Sequence, residues 1–90
     1  MKVLEIQPTP NPNAVKIMLS ERITEQPLSF FNADAGKDHP LASRLFAIPG
    51  VASLLILHDF VTVSKSPEAV WRELTPAVKR VLAEWQKDVV

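Results

Sequence analysis

The sequence predicts a two-layer α+β domain: a mainly antiparallel β-sheet with two helices packed on one of its faces. Three observations carry that expectation. Short apolar runs with strand alternation recur through the first and middle parts of the chain, and two stretches, residues 39–50 and 66–87, place apolar side chains at helical spacing. No linker, repeat or low-complexity tract divides residues 1–90. One apolar sheet face and the helix stripes are therefore expected to bury each other in a single domain.

The elements follow in order. "MKVLEIQ" reads as a first strand, with Val3 and Glu5 on one side and Leu4 and Ile6 on the other. "PTPNPN" comes next. Pro8, Pro10 and Pro12 fix their own φ and push Gln7, Thr9 and Asn11 away from helix, so the spacing predicts an extended or polyproline-like segment at a sheet edge. "AVKIML" alternates Val15, Ile17 and Leu19 against Lys16 and Met18, a second strand, and "PLSFFN" reads as a third. "ADAGKD" is turn-forming, with Gly36 free to take positive φ.

"HPLASRLFAIPG" predicts a short helix capped by Asp38 or His39, with Pro40 in its first turn and Leu41, Leu45 and Ile48 on one stripe; Pro49 and Gly50 should stop it. "VASLLIL" and "FVTVS" read as a hairpin turned by His58 and Asp59, although His-Asp is not a favoured two-residue turn. Leu54 to Leu57 are apolar on both faces, as in a central strand or one whose second face is covered. Ser66 then caps a second helix with Pro67 first and Glu68 in the first turn. Val70, Trp71, Leu74, Val78, Val81, Leu82 and Trp85 form its apolar stripe, and Arg72, Glu73, Lys79, Arg80, Glu84 and Lys87 its polar face. Pro76 should kink or break it near Leu74, and Val89 and Val90 read as a frayed tail.

Composition narrows the function. With 47% hydrophobic and 22% charged residues the chain is globular, and ten basic against ten acidic residues leave a formal charge of +0, not the basic footprint of a nucleic-acid binder. The absence of cysteine removes disulfides, thiolate zinc sites and cysteine-ligated clusters from these residues. No signal-peptide or membrane-spanning run is visible, so a cytoplasmic location and no membrane partner are expected.

Catalytic chemistry is thinly represented. No nucleophile elbow, metalloprotease pair or Gly-rich phosphate loop occurs, and two glycines cannot build the last. His39 reads as a cap. His58 beside Asp59 has the form of a base with its orienting carboxylate, or simply of a surface turn, and leaves open a small-molecule or metal-ion binding protein. Asp34, Asp38, His39, His58 and Asp59 match no metal-loop spacing. Trp71 and Trp85 read as core. The Pro-Asn segment has two readings: Asn11 and Asn13 offer amides on a prestiffened backbone suited to recognition, or the prolines merely block edge-to-edge pairing.

Taken together, "PTPNPNAVKIML", "HPLASRLFAIPGV", "DFVTVSK" and the following Trp71 resemble the N-terminal domain of Nfu/NifU-type iron–sulfur scaffold proteins, in the family's order over about residues 3–86. The resemblance implies the same α+β fold and a link to iron–sulfur cluster biogenesis. In full-length family members a separate C-terminal CxxC domain holds the cluster, so the resemblance implies an accessory, non-enzymatic role for a stand-alone N-terminal domain with no cofactor of its own. Protein partners are implied, either iron–sulfur assembly components or client apoproteins. Carried onto this chain, the partner-contact positions are Thr9, Pro10, Asn11, Pro12 and Asn13, with Asp59, Phe60 and Lys65 of the hairpin. His39 stands where the family often has Ser, a cap exchange.

Overall fold

The structure, a computed structural model, describes residues 2–85. Lys87, Val89 and Val90 lie outside them. Seven elements follow in sequence: β1 Val3–Pro8, β2 Ala14–Leu19, β3 Thr24–Phe30, α1 Pro40–Phe46, β4 Val51–His58, β5 Phe60–Lys65 and α2 Trp71–Glu84. The strands form one five-stranded sheet in the order β1-β2-β5-β4-β3, and every neighbouring pair is antiparallel. β4 is internal, as its apolar run suggested.

Register explains which face is buried. Ile17 lies opposite Val61, which lies opposite Ile56, and Val63 lies opposite Leu54. These side chains meet Leu41 and Leu45 of α1 and Val78 and Leu82 of α2 in one core. Both helices therefore cover the same sheet face. On the other face Met18, Phe60 and Leu57 follow one another across neighbouring strands, half-buried, and no described element covers them. No described helix is long and apolar enough to cross a membrane.

Several local expectations change. A bulge between Val3 and Glu5 shifts the register of β1, so Val3 and Ile6 both pack on the core while Leu4 is 63% exposed; one inserted residue breaks the period of two. β3 begins at Thr24, ahead of Pro27, and tolerates that proline because it is an edge strand with a register irregularity between Thr24 and Leu28. Phe31 falls beyond it and is 82% exposed. Gly36 is not at positive φ. It is glycine for space: a Cβ there would sit 2.9 Å from the Phe46 ring.

Helix α1 is capped by His39, not Asp38, and ends at Phe46, before Pro49 and Gly50. Gly50 instead turns the chain into β4 at φ 101°. Helix α2 begins five residues beyond Ser66. The Ala69 N–H closes a turn on the Ser66 carbonyl (3.0 Å), Val70 is extended, and the Glu73 and Leu74 N–H groups bond the Val70 carbonyl at 3.0 and 3.1 Å. A tertiary contact explains the delay: the Ser66 N–H donates to the Gly50 carbonyl (2.9 Å), and Ala69 packs where a Gly50 Cβ would be, so this segment follows the start of β4 before it can coil. Pro76 does not break α2. Leu74, Val78 and Leu82, buried at spacings of four, hold the helix to the sheet on both sides of it.

Candidate functional site

Pro8 at the end of β1 and Pro10 and Pro12 in the loop joining it to β2 leave few N–H donors, so side chains must organise the turn. The Thr9 hydroxyl accepts from the Asn11 N–H (3.1 Å) and stands within donating reach of the Asn11 and Ala14 carbonyls (2.8 and 3.0 Å). Asn11 Oδ1 accepts from the Asn13 N–H (2.9 Å), an Asx turn, and the Asn11 carbonyl accepts from the Ala14 N–H (3.0 Å). The segment is thus a folded, self-bonded turn and not the extended, polyproline-like run its prolines suggested. Thr9 and the two asparagines supply what the missing N–H groups cannot.

Distant elements fix the turn from the side. Lys65, at the end of β5, donates its backbone N–H to the Asn13 carbonyl (2.7 Å) and its Nζ to Asn13 Oδ1 (3.0 Å). Trp71, the first residue of α2, donates its indole N–H to the Pro12 carbonyl (3.1 Å). Both asparagine side-chain oxygens are therefore occupied within the chain. Among the described residues no bond uses either NH2 group. The turn thus keeps two amide NH2 groups unengaged by the described residues, on a backbone already held in place.

The sequence-expected contact residues do not all meet. Thr9, Pro10, Asn11, Pro12, Asn13 and Lys65 gather at one end of β5, while Asp59 and Phe60 lie at its other end. Five strand steps separate them, roughly 17 Å. Phe60 lies on the open sheet face with Lys16 Nζ 4.3 Å from its ring centroid. His58 and Asp59 do turn the hairpin, with His58 at φ 52°, a region where His is tolerated better than most side chains. Their carbonyls accept from the Ile23 and Leu19 N–H groups (both 2.7 Å), a backbone role for the pair. Among the described residues no three of His, Cys, Asp and Glu come together as a metal ion requires. His39 caps α1 through Nδ1, which accepts from the Ala42 N–H at 3.1 Å, and burial lowers its pKa.

Trp71 reads as core in the sequence, and the structure adds a second role. It packs partly on the core, yet its polar edge holds the loop. The available signal was chemical: a tryptophan at a helix start has an N–H to satisfy, and a proline-rich loop has carbonyls in excess. A separate cleft of about 440 Å³ lies between Gly50 and the start of α2, with Val70 and Leu74 in its wall and Glu68 and Glu73 beside them. None of the expected contact residues lines it.

Comparison with known proteins places these features in a family. The family described as scaffold protein Nfu/NifU N terminal matches residues 4–88. The protein named conserved virulence factor C of Staphylococcus haemolyticus is 30% identical over 82 residues, covering 91% of this chain and 22% of that protein. The chain thus spans about a quarter of the length of the curated relatives it matches. Among solved structures, protein SAV1430 from Staphylococcus aureus superposes with a TM-score of 0.77 at 30% identity, covering 90% of this chain and 98% of that one. A NifU-like protein from Saccharomyces cerevisiae superposes with a TM-score of 0.77 at 29% identity, covering 93% of this chain and 79% of that one.

Proposed function

The chain belongs to the family of Nfu/NifU N-terminal domains, and from that membership we propose that it is a non-catalytic interaction module serving iron–sulfur cluster assembly or delivery, acting by contact and not by ligation. Cluster ligation draws on thiolates, and these 90 residues contain no cysteine. The partners are cysteine-bearing assembly components or client apoproteins of the cytoplasm.

One observation carries the reading: the Pro-Asn turn is held by Lys65 and Trp71 and still offers the Asn11 and Asn13 NH2 groups. A surface ordered before the partner arrives avoids part of the ordering cost of association, and unengaged donors suit exposed carbonyls or carboxylates on that partner. Asp59 and Phe60, at the far end of β5, belong to a second contact only if the partner reaches along the open sheet face.

The test is a titration of isotope-labelled protein with a cysteine-bearing scaffold or carrier protein, following backbone amides and the Trp71 indole. Shifts should concentrate at Asn11, Asn13, Lys65 and Trp71, and the double variant N11A/N13A should weaken binding about tenfold or more, as the loss of two hydrogen bonds implies. Binding that leaves this end of the sheet unperturbed defeats the assignment of the surface, and absence of binding to any such protein defeats the function.

A further inference from the structure

The ten basic and ten acidic residues cancel over the chain, but they are not evenly mixed around α2. On the side facing β1 the helix borders two adjoining grooves of about 520 and 580 Å³, which share Pro76 and Lys79. The ionisable side chains lining them are Lys2, Arg72, Lys79 and Arg80, all cationic. Of the acids near them in sequence, Glu68 and Glu73 line the cleft beside Gly50, Glu5 accepts a bond from Gln7, and Glu84 lies 3.4 Å from Arg44. Lys2, Arg72 and Lys79 make no ion pair among the described residues, and Arg80 meets Glu84 only across 3.9 Å in an exposed pair. Such a pair contributes little and is readily exchanged for another carboxylate.

Between these cations the wall is apolar apart from Thr75: Trp71, Pro76, Val3 and Ala83. Trp71 is also the residue whose indole holds Pro12, so the groove starts where the Pro-Asn turn ends. From Trp71 to Ala83 the helix rises roughly 18 Å, the length of about five or six extended residues.

We infer that this groove receives an acidic segment of a partner protein, with apolar residues interspersed, lying extended along α2 from the Pro-Asn turn toward Lys2. The inference rests on the interaction-module reading and names the chemistry of the partner. Charge complementarity selects the acid, since among the described residues the lining carries four cations and no carboxylate, which repels a cationic occupant and steers an anionic one. The apolar wall favours a peptide over a nucleic acid. A strand of nucleic acid would find a single aromatic platform, Trp71, on which to stack its bases.

The probe is a synthetic twelve-residue peptide alternating Glu or Asp with Leu, titrated into the labelled protein beside its Lys-for-Glu counterpart and a twelve-nucleotide oligothymidylate. The acidic peptide should shift the amides of Arg72, Thr75, Lys79 and Ala83, and raising salt from about 50 to 500 mM should weaken it about tenfold, as screening of exposed charges requires. R72E/K79E should abolish binding. Both side chains are exposed, so the variant should keep the wild-type melting curve, and R72A/K79A gives the same reading if it does not. Equal binding of the Lys peptide, tighter binding of oligothymidylate, or full binding by R72E/K79E overturns the inference. Run against the scaffold or carrier protein, the same variant separates the two claims. Partner binding that survives R72E/K79E but not N11A/N13A removes the groove and keeps the module. Acidic-peptide binding with no iron–sulfur partner keeps the groove and removes the module.

Discussion

An imidazole stands at residue 39 where most helices begin on a hydroxyl, amide or carboxylate. Only a neutral ring with an unprotonated Nδ1 can accept the Ala42 N–H, and burial against the protein lowers the pKa in the same direction. The sign of the pH effect follows. In the unfolded chain the ring takes its proton near pH 6.5, in the folded one only at lower pH, so the cap contributes fully above 6.5 and is lost as pH falls below it. Thermal melts between pH 8 and 5 should show this loss in the wild type and a flatter profile in H39S, which keeps an acceptor without a titration. H39A should cost about 0.5–2 kcal/mol at pH 8. The two glycines make a second contrast. Gly50→Ala meets both φ 101° and the Ala69 Cβ at 2.9 Å, and should cost about 2 kcal/mol or more in urea unfolding. Gly36→Ala should cost less, because Phe46 offers a side-chain ring that can shift. That Gly36 is required for space and Gly50 for backbone conformation was not legible in the sequence, where both simply stand in turns.

At the scale of elements, α2 shows what pattern reading captures and what it loses. The apolar positions Trp71, Leu74, Val78 and Leu82 were readable because helical periodicity is a local signal, and they do face the core. The start of the helix was not, because the bond between Ser66 and Gly50 joins two segments sixteen positions apart and overrides a good local Ser-Pro-Glu signature. Pro76 is the converse case: local chemistry predicts a break, and burial on both sides prevents it. The Arg72 carbonyl, four residues earlier, still lacks the helical partner that Pro76 cannot supply. Pro76→Ala should therefore stabilise the domain by about 1–3 kcal/mol in urea unfolding. The Pro-Asn turn follows the same division. Its prolines announced a special segment, but the donors that fix it come from Lys65 and Trp71, more than fifty positions away.

The molecule as a whole has one core shared by all seven elements, with the sheet on one side and both helices on the other. A domain of this length has a total stability of only about 5–13 kcal/mol. Leu45 has no exposed surface and belongs to that core. Leu45→Ala should cost about 2–5 kcal/mol, a large part of the total, with α1 and the sheet failing together. Circular dichroism and tryptophan fluorescence should give coincident transitions in wild type and variant, and separated transitions would show that the helices can leave the sheet. The overall architecture was legible because sheet and helix faces have opposite periods; the division of the expected contact residues between the two ends of β5 was not, because it depends on strand order.

The carbonyls of His58 and Asp59 carry a consequence for the order of events in folding. β2 and β3 are consecutive in the chain but stand apart in the sheet, with β5 and β4 between them. The N–H groups at the two ends of the link joining them, on Leu19 and Ile23, find their acceptors on the tip of the β4–β5 hairpin. That link has no place to dock until the later hairpin exists. During refolding, the Leu19 and Ile23 amides should gain protection from exchange no earlier than those within β4 and β5, so the C-terminal half of the sheet acts as the template on which the N-terminal half is ordered.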